Sequence, residues 1–169
     1  MIDWESVEEY VFNIFKKIDK TLERTKGSGN VYNDTDSIGD TFLIEVKTKN
    51  TTDMVLLQKK EINEFKNKHA RLGRIGIIAM CNKKGELFFV FMKNSFNTYI
   101  KICRKKGYIF SKLCIEIETL KSESISLGSI EINKMKNFNN IIKYKTKTDE
   151  YFIMNEETLI DISENIIKY

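Results

Sequence analysis

The stretch Gly27-Ser28-Gly29-Asn30, followed by Asp34, Asp36 and Asp40 and then by Leu43-Ile44-Glu45-Val46-Lys47, decides how this chain is read. An apolar run is broken at alternating positions by a carboxylate and an amine, directly behind a loop dense in further carboxylates. Residues i and i+2 of a strand share a face. Leu43, Glu45 and Lys47 therefore project together, while Ile44 and Val46 line the other side. Two charges side by side on an otherwise apolar strand are costly unless partners offset their desolvation. A divalent cation collected by several carboxylates, with a lysine beside it, is one arrangement that meets that cost.

Working outward, the spacing of Val7, Val11, Ile14, Phe15, Ile18 and Leu22 predicts an amphipathic helix from about Asp3 to Arg24, with Asp3 as its N-cap. The glycine-rich turn at Gly27 ends it, and a loop or short hairpin leads to a strand from about Thr41 to Lys49. Asp53 is placed to cap a second helix from about Met54 to Leu72, closed by Gly73. Ile75 to Met80 and Leu87 to Phe91 read as apolar strands joined by a hairpin turn at Asn82 to Gly85. A helix is expected from Phe96 to Lys106, a strand from Tyr108 to Glu118, and another at Tyr151 to Met154, with Asn155 capping a closing helix. Residues 119–148 are polar with scattered apolar positions and read as a variable excursion. Strand, crossover helix and two further strands give an α/β fold, a mixed β-sheet flanked by helices.

Composition narrows the class. The chain has 169 residues, enough for one domain with a substantial core, and 41% hydrophobic with 31% charged residues is that of a globular protein. A net charge of +4 permits nucleic-acid binding without requiring it, because clustering on one face is what matters. Cys81, Cys103 and Cys114 are odd in number and lack paired spacing, so neither a disulfide framework nor a zinc site follows; Cys81 reads as a small buried hydrophobe. Neither a secretory pattern nor an apolar run near 18 residues is read, so an intracellular, cytoplasmic protein without membrane association is expected.

Carboxylates that gather Mg²⁺ acidify bound water and clamp phosphate oxygens, the two needs of phosphodiester hydrolysis. Glu45, an upstream aspartate and the Val46 carbonyl are the candidate ligands, and Lys47 would orient water or stabilise the phosphate. These residues, with the Ser28-Gly29 turn before them and a helix–strand–strand unit after, resemble the core of the PD-(D/E)xK nuclease superfamily, in particular its small Holliday-junction-resolvase-like members of archaea and phages. The resemblance spans about residues 1–93, leaving 94–169 as a C-terminal extension that completes the same domain and carries dimerisation or substrate selection. It implies a restriction-endonuclease-like fold, a Mg²⁺-dependent (or Mn²⁺-supported) DNA endonuclease acting on branched or junction DNA, and a homodimer. Restriction-, homing- or RNA-cleaving activity is the enzymatic alternative, and a non-catalytic nucleic-acid-binding module is the other.

By the same resemblance Asp36, at the right distance from Glu45, is the first metal carboxylate, with Asp34 and Asp40 as the other choices. Glu8 is the choice for the helical glutamate, with Glu5 and Glu9 beside it. Ser28 would contact a phosphate, and Gln58 or Lys59 (with Lys60 competing) would face the site. From the residues alone, Arg71, Arg74, Lys83, Lys84, Lys101, Arg104, Lys105 and Lys106 are candidates for a phosphate-tracking surface. Phe96, Tyr99 and Tyr108 are read as core residues first and as base-stacking residues second. The single histidine, His69, is expected on a helix surface.

Overall fold

A computed structural model describes residues 3–25, 36–48, 59–105, 117–121, 141–145 and 150–159. Helix α1 (Trp4–Lys16) is followed by the two-residue strands β1 (Glu23–Arg24) and β2 (Ser37–Ile38), then β3 (Phe42–Thr48), α2 (Lys59–Leu72), β4 (Ile75–Cys81), β5 (Leu87–Met92), α3 (Lys93–Lys105), β6 (Ile117–Lys121), β7 (Ile141–Lys145) and β8 (Glu150–Asn155). The strands form one mixed sheet in the order β1-β2-β3-β4-β5-β8-β7-β6. β3 and β4 are parallel, as a helical crossover between neighbouring strands requires; β6 and β7 are the other parallel pair.

The central strands β4, β5 and β8 are buried on both faces, and strand alternation sorts their side chains. Phe42, Ile44, Ile77, Ala79, Phe89, Phe91, Phe152 and Met154 form one cluster with Val11 and Phe15 of α1 and Phe96 and Tyr99 of α3. Phe15 packs 5.1 Å from Phe42 and 5.8 Å from Phe89, and Phe96 stacks on Phe152 at 4.1 Å. Phe96 and Tyr99 are thus core residues. Burying Val11 and Phe15 contributes on the order of 3–6 kcal/mol, which holds a 13-residue helix that would be marginal alone. The opposite face carries Leu43, Gly76, Ile78, Met80, Phe88 and Val90 and takes α2, whose Phe65 lies against Gly76.

Three expectations change. The first helix stops at Lys16 instead of running to Arg24, because Asp19 diverts the chain. Its Oδ1 accepts from the Thr21 N–H (3.0 Å) and hydroxyl (2.5 Å), and its Oδ2 accepts from the N–H groups of Thr41 (3.0 Å) and Phe42 (3.3 Å). Leu22 still reaches the core, but from this turn. Second, residues 119–148 are not wholly an excursion: β7 and the end of β6 lie within them, and with β8 they extend the sheet past β5. Third, His69 is half-buried. Its Nε2 lies 2.7 Å from the Ser95 hydroxyl, which also accepts from the Gly76 N–H at 3.0 Å. The ring stacks near Phe65 and pins α2 to β4 and α3.

Other local expectations hold. Asp3 caps α1 through the Glu5 N–H, worth about 1 kcal/mol. Gly73 ends α2 at φ 65°, and Asn82 closes the β4–β5 turn by accepting from Lys84 and Glu86. Asn155 accepts from the Thr158 N–H at the start of the helical residues 156–159; the rest of the expected closing helix lies outside the described residues. Cys81 is buried in β4, and burial pushes its thiol pKa up. Asp53, Tyr108, Cys114 and residues 108–116 of the strand expected from Tyr108 to Glu118 lie outside the described residues, as does the Cys103 side chain; the last two residues of that expected strand open β6. Among the described residues, no helix is long and apolar enough to cross a membrane.

Candidate functional site

The β2–β3 hairpin sets the spacing of the central carboxylates. Its ladder pairs Ser37 with Ile44 and Ile38 with Leu43, and Gly39 to Thr41 form the tip. Asp36 bends just before β2. Its N–H donates to the Ile44 carbonyl (3.1 Å), and its Oδ2 accepts from the Val46 N–H (2.6 Å). Asp36 thereby brackets Glu45, with its backbone on one neighbour and its side chain on the other. Its carbonyl accepts from the Thr25 N–H (3.0 Å), which ties in the segment after β1.

Glu45 and Lys47 share a face of β3 as alternation requires, with Nζ 3.6 Å from Oε1. The Glu45 side chain is 15% exposed, and burial pushes its carboxyl pKa above the ordinary value. The positive charges of Lys47 and of Lys68 on α2 pull it down, while the Asp36 carboxylate pushes it up.

Glu8 comes from α1. It sits three residues before Val11 and seven before Phe15, so the stripe that docks the helix also turns Glu8 inward, while Glu5 and Glu9 are exposed. Arg24 Nη2 lies 3.1 Å from Glu8 Oε2. Burial, then the charge of Asp36 and a hydrogen bond shared with it, push the Glu8 carboxyl up to about 7, against the pull of Arg24. Asp36 thus acts on both Glu8 and Glu45, with Arg24 beside Glu8 and with Lys47 and Lys68 beside Glu45.

No protein-family model, curated protein or solved structure matches this chain.

The donor chemistry suits a hard divalent cation, because oxygen ligands of net negative charge face one another. A cation would offset the burial, and behind it the charge of Asp36, that raise Glu8 and Glu45. Among the described residues, no three acidic, histidine or cysteine side chains are already grouped as a metal cluster. Each carboxylate instead has a protein partner: Arg24 for Glu8, the Val46 N–H for Asp36, and Lys47 for Glu45. The Val46 carbonyl points to the same side of β3 as its N–H, towards Asp36.

The structure links Asp36 to Glu8 on α1 and to Glu45 and Val46 on β3, where Lys47 pairs with Glu45. Asp40 is exposed at the hairpin tip, where its N–H donates to the Thr21 hydroxyl. Gly39, its neighbour, has a packing reason to be glycine: a Cβ there would sit 2.4 Å from Asp19 Oδ2 and 2.9 Å from the Leu22 backbone. Arg74 Nε donates to the Gly39 carbonyl (2.8 Å), so it braces the tip. Ser28, Asp34, Gln58 and Lys106 lie outside the described residues. Lys59 opens α2, and Arg104 and Lys105 close α3, but their side chains are also outside the described set, as are those of Lys60 and Arg71.

Sequence reasoning missed Arg24 and Lys68. Arg24 was absorbed into an overlong helix, and its signal is that strand β1 returns it to Glu8. Lys68 stands three residues after Phe65, whose contact with Gly76 sets α2 over the face that carries Glu45.

Proposed function

We propose that this protein is a metal-dependent DNA endonuclease of the PD-(D/E)xK type, with a restriction-endonuclease-like core. The observation that carries the reading is the approach of Glu8, Asp36, Glu45 and Lys47 from a helix and one hairpin. The order α1, β2–β3 hairpin, α2 and parallel β4, with Glu45 and Lys47 near the end of β3, agrees with what the resemblance implies.

Asp36, Glu45 and the Val46 carbonyl would hold Mg²⁺ or Mn²⁺, which supplies an acidified water and neutralises charge on the phosphate. Lys47 keeps an ammonium beside the carboxylates, where it orients the water or stabilises the phosphate. Arg24 holds Glu8 at the edge of the cluster, where its raised pKa lets it retain a proton near neutrality. Junction DNA is the proposed substrate and a homodimer the proposed assembly, since two symmetric sites suit paired cuts.

The test is cleavage of a four-way junction, a matched linear duplex and single-stranded RNA, with Mg²⁺ and then with Ca²⁺. Glu45→Ala and Asp36→Ala should each lower the cutting rate by on the order of 100-fold or more while retaining binding. Wild-type rates from Glu45→Ala would reject the site. Equal cutting of junction and linear duplex would reject the junction preference alone.

A further inference from the structure

Phe15, Val11, Glu8 and Trp4 follow one another at spacings of four, three and four residues, so they form one stripe along α1. Burial falls steadily along it. Phe15 and Val11 are fully buried, the Glu8 side chain is 15% exposed, and Trp4 is 55% exposed. The helix thus leaves the cover of the sheet at Glu8, and Trp4 stands one turn further out, on the rim of the carboxylate cluster.

Trp4 is the chain's single tryptophan and offers a large apolar face to solvent. Among the described residues the other exposed aromatic, Tyr10, has its hydroxyl tied to Glu156 on the helical turn after β8. Near Glu8 the Arg24 side chain is 36% exposed, whereas Lys47 pairs with Glu45 on the other face of β3. A flat aromatic surface one helical turn from the carboxylate that holds this guanidinium matches a nucleotide, which pairs a π-face with an anionic phosphate. In a duplex that face is already covered by the neighbouring bases, so a surface aromatic reaches it only where a base is unstacked.

We propose that Trp4 stacks on an unpaired base of a DNA strand whose phosphate enters the Glu8–Asp36–Glu45–Lys47 cluster. This rests on the nuclease reading and deepens it: Trp4 selects substrates with unpaired nucleotides next to the scissile bond.

As the single tryptophan, Trp4 is its own reporter. A fluorophore-labelled short oligothymidylate and a blunt duplex of equal length are titrated in Ca²⁺, and anisotropy and tryptophan emission are followed together. Emission should be quenched in step with strand binding. Trp4→Ala should lower the ratio of strand to duplex affinity by roughly 5- to 100-fold, the scale of one base–aromatic stack, and Trp4→Phe should restore most of it. Strand binding with unchanged emission, or an unchanged affinity ratio in Trp4→Ala, overturns the stacking role and leaves the nuclease reading standing. Absence of binding to either DNA overturns both.

Discussion

Replacing Asp19 removes a buried carboxylate that holds the turn after α1 against the start of β3. Of its four hydrogen bonds, the two from exposed Thr21 are readily replaced by water. Those from the N–H groups of half-buried Thr41 and fully buried Phe42 are not. Hydrogen bonds to a charged acceptor are worth about 1.5–3 kcal/mol each, so losing these two should make Asp19→Ala less stable by about 3–5 kcal/mol. Asp19→Asn keeps one acceptor oxygen and should cost about 2 kcal/mol. Urea unfolding measures both. With a slope near 2 kcal/mol/M, the alanine variant's midpoint should drop by about 2 M. The effect carries a pH signature. Burial alone would raise the Asp19 pKa, but the hydrogen bonds from Thr21, Thr41 and Phe42 outweigh it and hold the carboxyl below its ordinary 3.8. Its contribution is therefore complete above that pH and lost as pH falls through the folded-state value. Wild type and Asp19→Asn should converge in acid. An alanine variant within about 0.5 kcal/mol of wild type at neutral pH would refute the clamp.

A Cβ on Gly76 would lie 2.7 Å from His69 Cδ2 and 2.9 Å from Phe65, so Gly76→Ala should push α2 from the sheet and cost about 1–3 kcal/mol in the same assay. Unchanged stability would show that α2 yields freely. For Glu8, whose folded-state pKa is raised from 4.5 to about 7, the native state keeps a proton that the unfolded chain releases between those values. Stability from this group is therefore present below pH 4.5 and is lost as pH rises through about 7. Glu8→Gln should flatten that part of the thermal-stability profile, and an identical slope in wild type and variant would contradict the burial and pairing of Glu8.

Elements with strong periodicity were legible in the sequence: β3 with its alternating charges, the apolar runs of β4 and β5, and the turns at Gly73 and Asn82. What failed depended on contacts between distant segments. Asp19 fits a helical pattern, and only the backbone N–H groups of Thr41 and Phe42, more than twenty positions away, make it a helix stop. His69 looked like surface because one polar residue carries no periodic signal; the clue was Gly76, a glycine inside an apolar strand, which marks close approach by another element. β6 forms the outer edge of the sheet with β7 beside it, and both carry lysines, the composition that protects edges and hides strands. Within the site, Glu8 and Asp36 were what the resemblance implied, whereas Arg24 and Lys68 required the turn after α1 and the seating of α2.

The β2–β3 hairpin also limits how the chain can change. Strand side chains alternate with period two, so one residue gained or lost at Gly39 to Thr41 would turn Asp36 away from Glu45. The tip is wedged against Asp19 and Leu22 as well, which leaves no slack to absorb an extra residue. A surface turn, ordinarily the place where length drifts freely between relatives, is here length-locked. The Asn82 to Gly85 turn at the other end of β4 has no such duty. Among descendants of this sequence, insertions should accumulate there and spare the tip.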